Sequence, residues 1–176
     1  MRDVNPSGQG GRILNISSTG GYISFPTSAV YSAGKFALEG LTEGLAKETL
    51  PSWNIKAIII EPGGFSTEFT GGSMIRVPVH PKYDNPTAPS VLYRQMLEQP
   101  FIGDPAKAAK ALMHIASMAD PPTRVQLGTD SLLAVRHQAL QTIHDGERFA
   151  DLAHSTNLDG VDKDKGWEMF AQAAAK

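Results

Sequence analysis

The run Ile55-Lys-Ala-Ile-Ile-Ile60 lacks polar alternation, and no other stretch constrains the fold as much. A strand with one wet face alternates apolar and polar residues, whereas a strand covered on both faces by helices reads as a nearly continuous apolar run. Glu61-Pro62-Gly63-Gly64 ends this strand. Upstream, Arg12-Ile-Leu-Asn-Ile16 is a second strand candidate, and a helical pattern runs from about Ala29 to Leu50, where Pro51 stops it. Leu38, Leu41 and Leu45 mark the expected buried face of that helix. Gly40 and Gly44, at i,i+4 spacing beside it, predict a close approach by another backbone, either within the domain or from a second copy. Downstream, the text is irregular from Phe65 to Gly103, with a short helix expected near Ser90 to Glu98. Asp104-Pro105 is an N-cap followed by Pro at the first helical position, opening an Ala-rich helix to about Ala119. A strand over Arg124 to Leu127 and a last helix from about Ser131 to Leu152 complete the series.

Strand, helix, strand, helix, strand, helix in that order specifies an α/β fold with three parallel strands, right-handed crossovers and flanking helices. Ligands of such sheets bind beyond the carboxyl ends of the strands. Ser18 falls just past the first strand and Gly63 just past the second. Tyr31 and Lys35, four residues apart at the start of the intervening helix, stack on one face near the same edge.

Composition narrows the partners. Over 176 residues, 41% hydrophobic content and a formal charge of -2 argue against disorder and against an electrostatic grip on nucleic acid or anionic lipid. The absence of cysteine excludes disulfides, thiolate catalysis and zinc–thiolate sites. The five histidines show no pair with metal-ligand spacing, so no metal is expected. The longest apolar run falls short of the roughly 20 residues that span a bilayer, and the polar start does not read as a signal peptide, so a cytoplasmic protein is expected. Residues 1–155 read as one domain and 156–176 as a polar tail; the tail's Trp167, Met169 and Phe170 are free to anchor on a partner or on the core.

The groups at the sheet edge suit carbonyl–alcohol redox chemistry. A free phenol has a pKa of about 10, so a tyrosine that trades protons near neutrality needs positive charge close by. Lys35, one helical turn on, supplies it. The Ser18 hydroxyl is placed to hydrogen-bond a substrate carbonyl oxygen, Gly63 and Gly64 to let backbone approach a flat ring, and Thr67 to bond a carboxamide or phosphate. Taken singly, Ser17-Ser18 and Gly20-Gly21 also read as plain turn chemistry.

Asn15-Ile-Ser-Ser18, the thirteen-residue step to Tyr31-Ser-Ala-Gly-Lys35, Pro62-Gly-Gly-Phe-Ser-Thr67 and Leu127-Gly-Thr-Asp130 together resemble the second half of a short-chain dehydrogenase/reductase. The stretch Lys35-Phe-Ala-Leu-Glu-Gly-Leu41 is similar to the hydroxysteroid and retinol dehydrogenase branch. The resemblance implies a Rossmann-like, doubly wound fold and NAD or NADP as cofactor. It also implies Tyr31 as acid/base, Lys35 holding the nicotinamide ribose and Ser18 orienting a small alcohol or carbonyl substrate. Pro62, Gly63, Gly64, Phe65 and Thr67 would line the nicotinamide, residues 68–103 would form a substrate lid, and the helix bearing Gly40 and Gly44 would serve a homo-oligomer.

The family's Thr-Gly-x-x-x-Gly-x-Gly turn, its adenosine selector and its Asn-Asn-Ala-Gly segment have no counterpart in these 176 residues. The expectation is therefore a partial Rossmann-like fold without its N-terminal strands: a fragment, or a misplaced start, of a longer reductase. Arg12 to Ile16 would then be an unpaired sheet edge, dinucleotide binding would be weak, and a noncatalytic fragment acting through association is the alternative.

Overall fold

The computed structural model describes residues 1–69, 71–75, 77–162 and 165–174, with side-chain placement left undescribed at Met169 and over 172–174. The chain divides into two compact units, Met1–Val135 and Arg136–Lys176. The first unit carries a three-stranded parallel sheet in the order β1 (Gly11–Ile16), β2 (Ile55–Pro62), β3 (Arg124–Leu127). Ile13 stands opposite Ala57 and Leu14 opposite Ile58; on the other side Ile60 faces Val125.

Helix α1 (Ala29–Glu48) connects β1 to β2, while α2 (Pro89–Met96) and α3 (Pro105–Ser117) lie between β2 and β3. α3 begins as its sequence directs: the Asp104 carboxylate accepts from the Ala106 and Lys107 amides at 2.8 and 3.3 Å, and Pro105 takes the first position, where no amide is needed.

Successive side chains of β2 point to opposite faces of the sheet. Ile58 and Ile60, both fully buried, pack with Ile115 and Leu112 of α3 and with Leu14, Val125 and Leu127 of the neighbouring strands. Ala57, Ile59 and Glu61 take the opposite face, where α1 lies and where Glu61 meets the same arginine as Glu39 of that helix. Helices thus cover both faces of β2, which accounts for its apolar run from Ala57 to Ile60.

α1 does not bury the leucine stripe that its sequence suggests. Leu41 is 68% exposed and Leu38 and Leu45 are only half-buried, while Ser32, Glu39 and Thr42 are the buried positions. These polar residues are tolerated because the strands supply partners: Asn15 Nδ2 donates to Thr42 Oγ1 at 2.8 Å, Thr42 Oγ1 donates to the Leu38 carbonyl at 2.6 Å, and Glu39 pairs with Arg124. The close approach expected at Gly40 and Gly44 is likewise absent within the described chain, since a Cβ on either would meet nothing within 4 Å.

β1 pairs only with β2, so its outer edge is open among the described residues. Its start is anchored by Arg12, whose guanidinium donates to the carbonyls of Asn54, Met118 and Ala119 at 3.0 to 3.2 Å.

The last helix begins at Thr129 and is interrupted at Phe149, giving α4 (Thr129–Arg148) and α5 (Ala150–His154); α6 (Lys165–Ala174) follows. Trp167 and Phe170 stand exposed on α6, and the Met169 side chain lies outside the described residues. Lys163 and Asp164 of the charged tail also lie outside them, as do Thr70 and Arg76 of the 68–103 segment. No described helix is long and apolar enough to cross a membrane.

This packing makes a paired prediction for urea unfolding. Ile58→Ala, at a fully buried position, should cost about 2–5 kcal/mol, whereas Leu41→Ala on the exposed stripe of α1 should stay within about 0.5 kcal/mol of the parent. Equal costs would restore the leucine face as the buried one.

Candidate active site

The carboxyl ends of β1 and β2 form a rim. The Ser17 amide donates to the Ile60 carbonyl at 2.7 Å, carrying the parallel ladder one residue beyond β1. Ser18 is extended and caps the short 3-10 turn Thr19–Gly21, its Oγ accepting from the Gly20 amide at 3.0 Å. That contact uses an acceptor lone pair and leaves the hydroxyl proton to be donated elsewhere. Thr19 Oγ1 donates to the Pro62 carbonyl at 3.1 Å, fastening the turn to the end of β2.

Tyr31 sits in the first turn of α1, over this turn. A Cβ built on Gly20 would lie 3.0 Å from Tyr31 Cε1 and 3.4 Å from Ser18 Oγ, so the phenol ring and the serine hydroxyl flank one point. Lys35 Nζ lies 5.8 Å from the Tyr31 ring centre and donates to the Ile16 carbonyl at 2.9 Å. The ammonium is thereby tied to the last residue of β1, with two N–H groups left to donate.

After β2 the backbone turns tightly. The Gly63 amide donates to the Leu127 carbonyl at 2.8 Å and the Gly64 amide to Asp130 Oδ2 at 2.7 Å. A Cβ at Gly63 would run into the Asp130 carboxylate, and one at Gly64 into the Phe101 ring. Phe65 makes an isolated parallel bridge with Gly103. Thr67 is occupied locally, its Oγ1 accepting from the Phe69 amide at 3.3 Å.

A cavity of about 760 Å³ opens on this rim. Ser18, Tyr31, Pro62, Gly63 and Gly64 line it; Lys35, Phe65 and Thr67 do not. Its other wall comes from the segment between β2 and α3, including Phe69, Val77, Tyr93 and Phe101, with Phe25 from the loop before α1. Among the described residues no group of three histidine, aspartate or glutamate side chains gathers as a metal ion would require.

Three features were not singled out from the sequence. Asp130 belongs to the quoted Leu127-Gly-Thr-Asp130 segment, yet its grip on the Gly64 amide depends on β3 lying beside β2, which sequence does not display. Phe25 and Tyr93 stack at 5.4 Å between ring centres and 8° between planes, a pairing of the loop before α1 with α2 that leaves no periodic trace.

The third is a buried ionic cluster beneath the rim. Arg124 of β3 bonds both Glu39 of α1 and Glu61 of β2, approaches Glu43 at 3.8 Å, and lies 5.3 Å from the Tyr22 ring. Glu39 in turn accepts from Ser17 Oγ at 2.5 Å, and Gln126 Nε2 donates to Glu61 at 2.6 Å. A Cβ on Gly21 would collide with both the Glu39 carboxylate and Ser17 Oγ, so only glycine fits there. Burial pushes the Glu61 carboxyl above its ordinary value, against the hydrogen bonds from Gln126 and Arg124; nearby Glu39 adds to the rise. Burial alone would lower the Arg124 pKa, but its bonds to Glu61 and Glu39 raise it.

Residues 1–74 match the family model described as short chain dehydrogenase. An uncharacterized oxidoreductase of Schizosaccharomyces pombe is 39% identical over 163 residues, spanning 90% of this chain and 54% of that protein. A 3-ketodihydrosphingosine reductase of Bacteroides thetaiotaomicron is 36% identical over 121 residues, spanning 67% of this chain and 44% of its own. The crystal structure of a short-chain dehydrogenase from Streptomyces avermitilis superposes with a TM-score of 0.70 at 34% identity, over 83% of this chain and 52% of the other. The chain spans about half the length of these relatives.

The Glu61 shift carries a sign that thermal melts can check. A carboxyl whose folded pKa is raised contributes stability fully below its unfolded value of 4.5 and loses it as pH rises through the folded value. Glu61→Gln is neutral throughout, so the parent should lose stability relative to this variant as pH rises from about 4 to about 7. A difference that runs the opposite way would mean that Arg124, not burial, governs the group.

Proposed function

The chain belongs to the short-chain dehydrogenase/reductase family, and from that premise we propose that it serves as an NAD(P)-dependent oxidoreductase interconverting an alcohol and a carbonyl. The observation that carries this reading is the meeting of the Ser18 hydroxyl and the Tyr31 ring at Gly20, at the wall of an apolar cavity, with Lys35 fixed one turn behind.

In the reducing direction, Tyr31 gives its phenolic proton to the substrate oxygen as that oxygen becomes an alkoxide, and Ser18 donates a hydrogen bond to the same atom. The Lys35 charge steadies the phenolate left on Tyr31. In the oxidising direction Tyr31 takes the proton back. The residues present suit the nicotinamide half of a dinucleotide: Lys35 keeps two donors for ribose hydroxyls, and beside Pro62 the cavity is lined by Gly63 and Gly64, which add no side-chain bulk. When bound, nicotinamide supplies or accepts the hydride. Phe65 and Thr67 bound this turn from outside the cavity, so their part in holding the cofactor is to shape the loop. No Gly-rich turn for a pyrophosphate precedes β1 in the 176 residues, so we place only the nicotinamide end of the cofactor on this chain.

One observation favours a second reading, a noncatalytic role through association: β1 leaves its outer edge unpaired among the described residues, and such an edge can pair with another chain. Size exclusion and an NADPH-consumption assay over a panel of ketones separate the two. The redox reading expects turnover by the parent and a fall of at least about 100-fold in Tyr31→Phe with its circular dichroism unchanged. Turnover that survives Tyr31→Phe would remove the phenol from the chemistry, and self-association with no turnover by the parent would select the second reading.

A further inference from the structure

We propose that the cavity beyond Ser18 and Tyr31 takes a bulky, uncharged ketone or secondary alcohol, and that Tyr93, stacked on Phe25, is the residue that sets this preference. The reacting group rests on the oxidoreductase reading above; the size and polarity of the body that binds do not.

The two walls of the cavity differ in kind. The sheet rim contributes the hydroxyl-bearing residues Ser18, Thr19 and Tyr31 together with Gly63 and Gly64. The segment between β2 and α3 contributes large apolar groups, among them Phe69, Ile75, Val77 and Met96. All four are exposed as they stand, from Met96 at 50% to Ile75 at 93%. Apolar side chains gathered around a cleft and left open to water gain free energy when a ligand covers them. At about 760 Å³ the cavity exceeds what a two- or three-carbon substrate fills and lies within the range of sites for larger ligands.

Charge points the same way. Arg94 is the one formal cation among the described lining residues, and its Nη1 is already donating to the Val77 carbonyl at 2.8 Å. Asp130 brings a carboxylate to the same wall, beside Gly63 and Gly64. Arg94 keeps its charge after that contact, so the described lining carries one formal charge of each sign and no cluster of cations that would grip a keto acid's carboxylate.

Tyr93 joins the two walls. It projects from α2, stacks on Phe25 in the loop before α1, and lines the cavity together with Tyr31. Burial holds its phenol above the ordinary range, against a hydrogen bond with the Ser28 side chain; nearby Tyr31 adds to the rise. It therefore stays neutral and leaves proton transfer to Tyr31. What it offers a substrate is a broad ring, held in place by Phe25 and lining the same cavity as Tyr31.

The full 176-residue chain should be titrated by calorimetry with tetralone, cyclohexanone and pyruvate, with and without NADPH. The expected result is tetralone bound at least about 10-fold more tightly than pyruvate. Tyr93→Ala should weaken tetralone about 10-fold and cyclohexanone less than about threefold, while Tyr93→Phe stays within about threefold of the parent for both. If Tyr93→Ala fails to fold, Tyr93→Leu, which keeps apolar volume but loses the ring, carries the test with the same expected order. Tetralone bound no better than pyruvate, or bound equally well by a folded Tyr93→Ala or Tyr93→Leu, overturns the proposal. Tyr93-dependent tetralone binding with no NADPH oxidation upholds this pocket and counts against the redox reading alone. NADPH oxidation driven by pyruvate but not by tetralone does the reverse.

Discussion

One guanidinium holds the rim of the sheet together. Arg124 reaches from β3 between a carboxylate of α1 and a carboxylate of β2, both almost wholly buried, so the three elements that carry the rim share one ion. Two buried carboxylates without a cation would repel one another in a region of low dielectric, and breaking such an arrangement costs about 3–5 kcal/mol. An apolar residue at the same place would leave them unpaired. Gln126 completes the coordination of Glu61, and Ser17 that of Glu39.

The consequences run outward from this cluster to the chemistry. Glu39 lies one helical turn beyond Lys35, so fixing its carboxylate fixes the rotation of α1 about its axis and with it the direction of Lys35 and Tyr31. The same carboxylate holds Ser17, whose neighbour Ser18 supplies the hydroxyl, and leaves room only for glycine at position 21. Glu61 is the last residue before Pro62-Gly63, and its carbonyl accepts from Ser131 Oγ at 2.8 Å, which brings the start of α4 and thus Asp130 to the turn. The far wall of the cavity depends on a second contact, the stack of Phe25 on Tyr93, which joins α2 to the loop before α1.

The fold and the residues at the rim were legible in the sequence where the cause was local. The apolar run of β2, the Asp104-Pro105 cap and the spacing of Ser18, Tyr31 and Lys35 each follow from a short stretch of chain, and the structure places all of them near their expected positions. The inner face of α1 was misread because leucines were counted and polar residues discounted. Glu39 and Thr42 are buried only because Arg124 and Asn15 arrive from strands distant in sequence. The cavity wall was illegible for the same reason. Phe69 and Tyr93 sit in a stretch without periodicity, and their meeting with residues of the rim is set by tertiary packing alone.

Amide hydrogen exchange in an Arg124→Met variant tests the central claim most directly, because methionine keeps an extended apolar stem but removes the cation that both carboxylates share. The account predicts faster exchange at the rim amides of Ser17, Gly21 and Gly64, with Ile59, which donates to the Thr123 carbonyl at 2.7 Å in the middle of the sheet, unchanged. Rim amides as well protected in the variant as in the parent would show that the ionic cluster stabilises the domain without positioning its site.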